Sequence, residues 1–131
     1  MKAPIFLTLE QVLAIHADQI GRYGGSLGVR DLSLLQSALA MPAASFADQY
    51  LHPTLHEMAA AYLFHLTQNH PFVDGNKRIG LAVAIAFLGL NGKWLESEPN
   101  ELLEMVFKVA RGEIGKPDIA VFIRGHCVPF T

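Results

Sequence analysis

Nine consecutive residues, His70-Pro71-Phe72-Val73-Asp74-Gly75-Asn76-Lys77-Arg78, place a titratable ring, a carboxylate, a glycine and two fixed cations in one short segment. They precede the long apolar run Ile79 to Leu90, so they read as a loop opening into a helix. The free backbone N–H groups and positive dipole end of such a helix form an anion site. Gly75 lets the backbone approach the anion, Asn76 brings amide donors, Lys77 a point charge and Arg78 a forked donor. Gly75, Asn76, Lys77 and Arg78 together read as a phosphate cradle. Asp74 runs against that pattern, because a carboxylate repels phosphate. A magnesium ion, held by one carboxylate plus phosphate oxygens, resolves the conflict. His70, at the lip of the loop, can take a proton from an incoming hydroxyl near neutral pH. Phe72 is read as the anchor that pins the loop into the core. Taken singly, each residue has a structural explanation as a cap, a turn or a solvated edge. All of them within nine residues at one helix start point to chemistry.

The elements around this segment are helical by their apolar spacing. Thr8 caps a helix to about Ile20, with Leu9, Val12, Leu13, His16 and Ile20 on one face. Gly21, Gly24, Gly25 and Gly28 break the pattern into a loop. Asp31 caps a second helix through Leu32, Leu35 and Leu39 that stops at Met41-Pro42. Residues 43–53 read as loop-like or weakly extended. Thr54 caps a third helix, with Leu55, Met58, Ala59, Tyr62, Leu63 and Leu66 in register. It ends near Asn69, because Pro71 cannot continue it and restrains His70. The fourth helix, from about Gly75 to Leu90, is apolar on every side and belongs at the centre of a domain. Asn91-Gly92 ends it. A fifth helix covers about Glu98 to Arg111, and a short last one follows Pro117-Asp118. The expected fold is an all-α bundle of five to six helices around a buried central helix, with residues 1–131 as one domain.

Bulk properties narrow the function. The 131 residues are 51% hydrophobic and 17% charged, which excludes a disordered chain or a coiled coil. A formal charge of −2 argues against direct nucleic-acid binding. The single cysteine, Cys127, has no intrachain partner and no zinc-binding companions, as suits a reducing, cytoplasmic setting. The apolar stretch at the start is too short for a secretory signal, and Ile79 to Leu90 falls short of the roughly 20 residues that span a bilayer, so no membrane role is expected.

The nine-residue segment resembles the signature of the Fic/Doc superfamily in its Doc (death-on-curing) form. The likeness extends to Leu7-Thr8-Leu9-Glu10 with His16, to Tyr23-Gly24-Gly25, to Arg30-Asp31 with Leu34 to Leu39, and to Phe87 to Gly92. It implies that His70 is the catalytic base and Asp74 the magnesium ligand. Gly75 and Asn76 would form the anion-binding turn, Arg78 would hold nucleotide phosphates and Phe72 would be the buried anchor. Lys77 matches the lysine of Doc-type proteins, where typical Fic enzymes carry glycine. The second arginine of AMP-transferring Fic enzymes falls at Leu81. The resemblance therefore implies ATP bound in the reversed sense, its γ-phosphate towards His70, with phosphoryl rather than AMP transfer. It further implies a threonine of elongation factor Tu as target, arrested translation, and a Phd-like antitoxin as partner. The alternatives are AMP transfer and a non-enzymatic helical binding module. Lys77 and Leu81 argue against the first, His70 and Asp74 against the second.

Other residues carry weaker signals. A self-inhibitory Ser-x-x-x-Glu helix would need Gly or Asn after Glu101, and Leu102 stands there instead. His52 and His56 have helical metal-ligand spacing, but Pro53 lies between them, and Ala60 stands where a zinc-protease motif starting at His56-Glu57 needs histidine. His16 and His65 read as core or rim residues. Arg30 and Asp31 read as a helix cap with a surface ion pair. Residues 43–53 occupy the place of the Fic flap.

Overall fold

Three polar residues placed just before apolar-periodic runs set where the first three helices begin. Thr8 caps α1 (Leu9–Tyr23) through a capping box with Gln11. Asp31 caps α2 (Leu32–Ala40), and Thr54 caps α3 (Leu55–Asn69). The computed structural model, which describes residues 3–130, continues with α4 (Asn76–Leu90), α5 (Pro99–Ala110) and α6 (Lys116–His126). Proline in the first turn of α5 and of α6 costs nothing there, since that N–H would have no intrahelical partner. The fold is the expected all-α bundle, and no helix among the described residues is long and apolar enough to cross a membrane.

The centre is shared by two antiparallel helices. On α3, Met58 through Leu63, Leu66 and Thr67 are buried, so α3 is enclosed by α2, α4, α5 and α6. On α4, Ile79, Gly80, Val83, Ala84, Phe87 and Leu88 are buried, while Leu81 and Ile85 are only half-covered. The two helices pack closely at Gly80, where a Cβ would lie 2.8 Å from Thr67 Oγ1 and 3.2 Å from the Leu63 carbonyl oxygen. Asn91, at the end of α4, clamps the amino-terminal segment: its amide accepts from Ile5 N–H at 2.8 Å and donates to the Ile5 carbonyl at 3.0 Å.

Four short strands complete the fold. β1 (Ser45–Phe46) and β2 (Gln49–Tyr50) form a hairpin whose turn residues, Ala47 and Asp48, have φ of 53° and 63°. That conformation matches a primed two-residue turn, and it fits the weakly extended reading of residues 43–53. β3 (Lys93–Leu95) pairs antiparallel with β4 (Cys127–Pro129), so the carboxyl-terminal segment returns to the end of α4. α1 runs three residues beyond the expected Ile20 and stops at Gly24, which has φ 84° and donates its N–H to the Ile20 carbonyl.

Candidate functional site

The nine-residue segment lies where α3 ends and α4 begins. His70 closes α3 with φ 48° and ψ 52°, a left-handed conformation that costs a residue with a Cβ about 1–2 kcal/mol. Pro71 does restrain His70, as expected, but the permitted basin used is left-handed rather than extended. The loop holds this conformation because residues 28–31 lie against it. Arg30 and Asp31 N–H both donate to the Pro71 carbonyl (2.8 and 3.0 Å), and Val73 N–H donates to the Gly28 carbonyl at 3.0 Å. The Arg30 side chain reaches further: Nε donates to the His70 carbonyl at 2.7 Å and Nη2 to the Asn69 carbonyl at 3.0 Å. The expected ion pair between Arg30 and Asp31 is not formed, although Asp31 does cap α2. The guanidinium goes to the carbonyls at the α3 terminus because they lack intrahelical partners.

Inside the loop, Phe72 is buried as expected and stacks on His16 with ring centroids 3.8 Å apart. His16 is itself buried and donates from Nε2 to the Asp74 carbonyl at 2.8 Å. It is thus a core residue, but one that grips the loop at two points. Asn76, expected among the phosphate donors, turns inward. Its Oδ1 accepts from Phe72 N–H and its Nδ2 donates to the Phe72 carbonyl, both at 3.0 Å. The Nδ2 also lies 3.5 Å from His70 Nδ1, at the outer limit of a hydrogen bond. The side-chain amide is committed to the loop's own backbone.

The outward groups are those at the mouth. Gly75 has φ 77°, and its left-handed conformation starts α4 without a side-chain cap. Asp74 is exposed. Its Oδ1 accepts from Gly75 N–H at 2.9 Å and its Oδ2 from Ser26 N–H at 3.2 Å. A Cβ at Gly25, built there, would come within 2.7 Å of Asp74 Oδ2, so this glycine leaves room for the carboxylate. Lys77 is exposed and makes no side-chain hydrogen bond among the described residues. Arg78 donates from Nη1 to the Gly24 carbonyl at 3.0 Å and lies 5.7 Å from the Tyr23 ring centroid. A pocket of about 270 Å³ is lined by Asp74 and Gly75, by Asn76, Lys77, Arg78 and Leu81 of α4, and by Leu103 and Phe107 of α5. His70 stands outside that lining, across the loop.

A magnesium ion fits this donor set in one way. No group of three or more His, Cys, Asp or Glu side chains converges among the described residues, so the chain offers no all-protein cage. Asp74 offers a single carboxylate with lone pairs left on both oxygens. That suits an ion which arrives with phosphate oxygens as its other ligands. His52 and His56, weighed as metal ligands, form no such group either.

Residues 6–88 match the model of the Fic/DOC family. The chain belongs to that family. It is 33% identical to the protein kinase doc of Escherichia phage P1 over 88% of this chain and 90% of that protein. It is 45% identical to the toxin Doc of Mycolicibacterium smegmatis, a match that spans 58% of each chain. Around the signature loop, His16 and Arg30 are the residues whose contacts the sequence did not show. His16 read as core from its helical face alone, and the contact that gives it a role spans 58 positions of chain. Arg30 sat beside an acid, which hid its reach to the α3 terminus.

Proposed function

We propose that this chain is a Doc-type toxin that transfers the γ-phosphoryl group of ATP to a protein hydroxyl. The observation that carries the proposal is the set of exposed Asp74, Lys77 and Arg78 with half-buried Gly75 at the amino terminus of a 15-residue helix, and His70 on the same loop. The backbone N–H groups that follow Gly75 in the first turn of α4, with Lys77 and Arg78, hold the phosphates, while Gly75 N–H stays on the Asp74 carboxylate. Asp74 holds a magnesium ion, which when bound neutralises phosphate charge. His70 accepts the proton of the attacking hydroxyl as the oxygen–phosphorus bond forms. The bond from the γ-phosphorus to the bridging oxygen breaks, and ADP leaves. Positioning and charge neutralisation carry such a transfer.

Leu81 favours this reading over AMP transfer. It is half-buried and apolar where a second phosphate-clamping cation would have to stand. The proposed target is a threonine of elongation factor Tu, with arrested translation as the outcome. The proposed restraint is a Phd-like antitoxin that folds onto the toxin. The names of the two relatives support the toxin and kinase parts of the proposal.

The test uses a cell lysate, magnesium, and ATP labelled at the α or the γ phosphate, with antitoxin absent. Transfer of γ label alone is expected, and it is abolished by His70→Ala. Transfer of α label would replace the proposal with AMP transfer. Transfer of neither label would remove both.

A further inference from the structure

A second cluster of titratable side chains lies away from the signature loop, where Lys116 at the start of α6 meets His52, just before α3, and His65, towards the end of α3. Lys116 Nζ donates to His52 Nε2 at 3.2 Å and to His65 Nε2 at 3.1 Å. Both rings must be neutral to accept, and burial, the Lys116 charge and the neighbouring ring hold His65 down to about 4. His52 is about nine-tenths buried, with Lys116 at its Nε2 and the Met41 backbone beside the ring. An ammonium group has three N–H donors. Two are fixed by the histidines, and the third has no acceptor among the described residues. The Phe64 ring, 6.0 Å from Nζ, is at the outer reach of a cation–π contact. No carboxylate among the described residues lies within 4.0 Å of Lys116 or Arg124. Half-buried cations normally carry a counter-charge.

A pocket of about 380 Å³ opens directly onto this ammonium. Lys116 and Arg124 mark its two ends along α6, and Pro117, Ala120 and Val121 give it an apolar wall between them. Glu57 is the acid on the rim, and its carboxylate accepts from the Thr54 hydroxyl at 3.1 Å. The volume lies in the range of small-molecule sites, which pair mostly apolar walls with a few fixed polar groups. We propose that this pocket binds a small organic anion, a carboxylate or phosphate on an apolar body. Lys116 anchors the acid group, and His52 and His65 hold Lys116 in place. The site is independent of the phosphotransferase reading, because none of its residues belongs to the signature loop.

The experiment titrates the full chain with benzoate and with phenyl phosphate while following the ring resonances of His52 and His65 by NMR. Either probe is expected to move both rings saturably, and the two arms separate carboxylate from phosphate as the preferred group. Lys116→Met is expected to weaken binding by at least about tenfold. Arg124→Gln, at an exposed position that leaves the fold intact, is expected to weaken it several-fold. The His70 resonance reports any separate binding at the signature loop. The proposal is overturned if neither probe moves His52 and His65 saturably, or if Arg124→Gln and a folded Lys116→Met bind as the parent does.

Discussion

Truncation of Asn76 separates two roles that its position allows. In the structure its amide satisfies both backbone groups of Phe72, each at 3.0 Å, and both residues are buried at 1% and 8% exposure. Asn76→Ala strands a buried N–H and a buried carbonyl, each at a cost of about 1–3 kcal/mol. Better helix propensity at the first position of α4 returns roughly half a kcal/mol. The net loss is then about 1.5–5.5 kcal/mol. With a urea slope of about 1.5 kcal/mol/M, the unfolding midpoint falls by roughly 1–3.7 M at unchanged slope. Asn76→Asp keeps the acceptor for Phe72 N–H and loses the donor to the carbonyl, so about half that drop is expected. The assay is urea denaturation followed by circular dichroism, with label transfer measured on the folded fraction. A midpoint within about 0.3 M of the parent, with transfer abolished, would mean that the amide serves the anion and not the loop.

Other perturbations follow from the same contacts. Phe72→Ala removes a fully buried ring and its stack on His16, with an expected loss of about 3–5 kcal/mol by chemical denaturation. Gly80→Ala places a Cβ 2.8 Å from Thr67 Oγ1 and 3.2 Å from the Leu63 carbonyl, so it lowers stability by about 1 kcal/mol or more despite better helix propensity. Arg30→Met removes the fork on the Asn69 and His70 carbonyls, costs about 1 kcal/mol in unfolding experiments, and slows transfer by about tenfold; Arg30→Lys, with one donor point instead of a fork, restores little. His65, held down to about 4 against an ordinary value of 6.5, binds a proton more weakly folded than unfolded. Its contribution to stability is therefore complete above pH 6.5 and declines as pH falls from there to about 4, which His65→Gln flattens in pH-dependent melts.

The parts of this molecule that were legible in the sequence are those fixed by local rules. Thr8, Asp31 and Thr54 mark helix starts because each side chain caps the turn that follows. Phe72 reads as an anchor because a large aromatic in a loop that opens onto an apolar helix gains most by burial against it. The details that escaped depend on chain segments distant in sequence. Asn76 shares its residue type with an anion donor, and only the return of Phe72 over it decides that the amide points inward. The pairing of β3 with β4 joins residues more than thirty positions apart, and short strands carry too little periodicity to announce such a partner. The half-covered side of α4 escaped for another reason: apolar residues all round predict complete burial, whereas Leu81 and Ile85 face shallow pockets.

The proposed transfer of a phosphoryl group to a hydroxyl, with His70 as base, is read out by intact-mass spectrometry of purified elongation factor Tu incubated with this chain, ATP and magnesium. A gain of one phosphoryl group, mapped to a threonine, is expected, with no gain for His70→Ala. An adenylyl adduct, or a phosphoryl gain that survives His70→Ala, would rule the proposed transfer out.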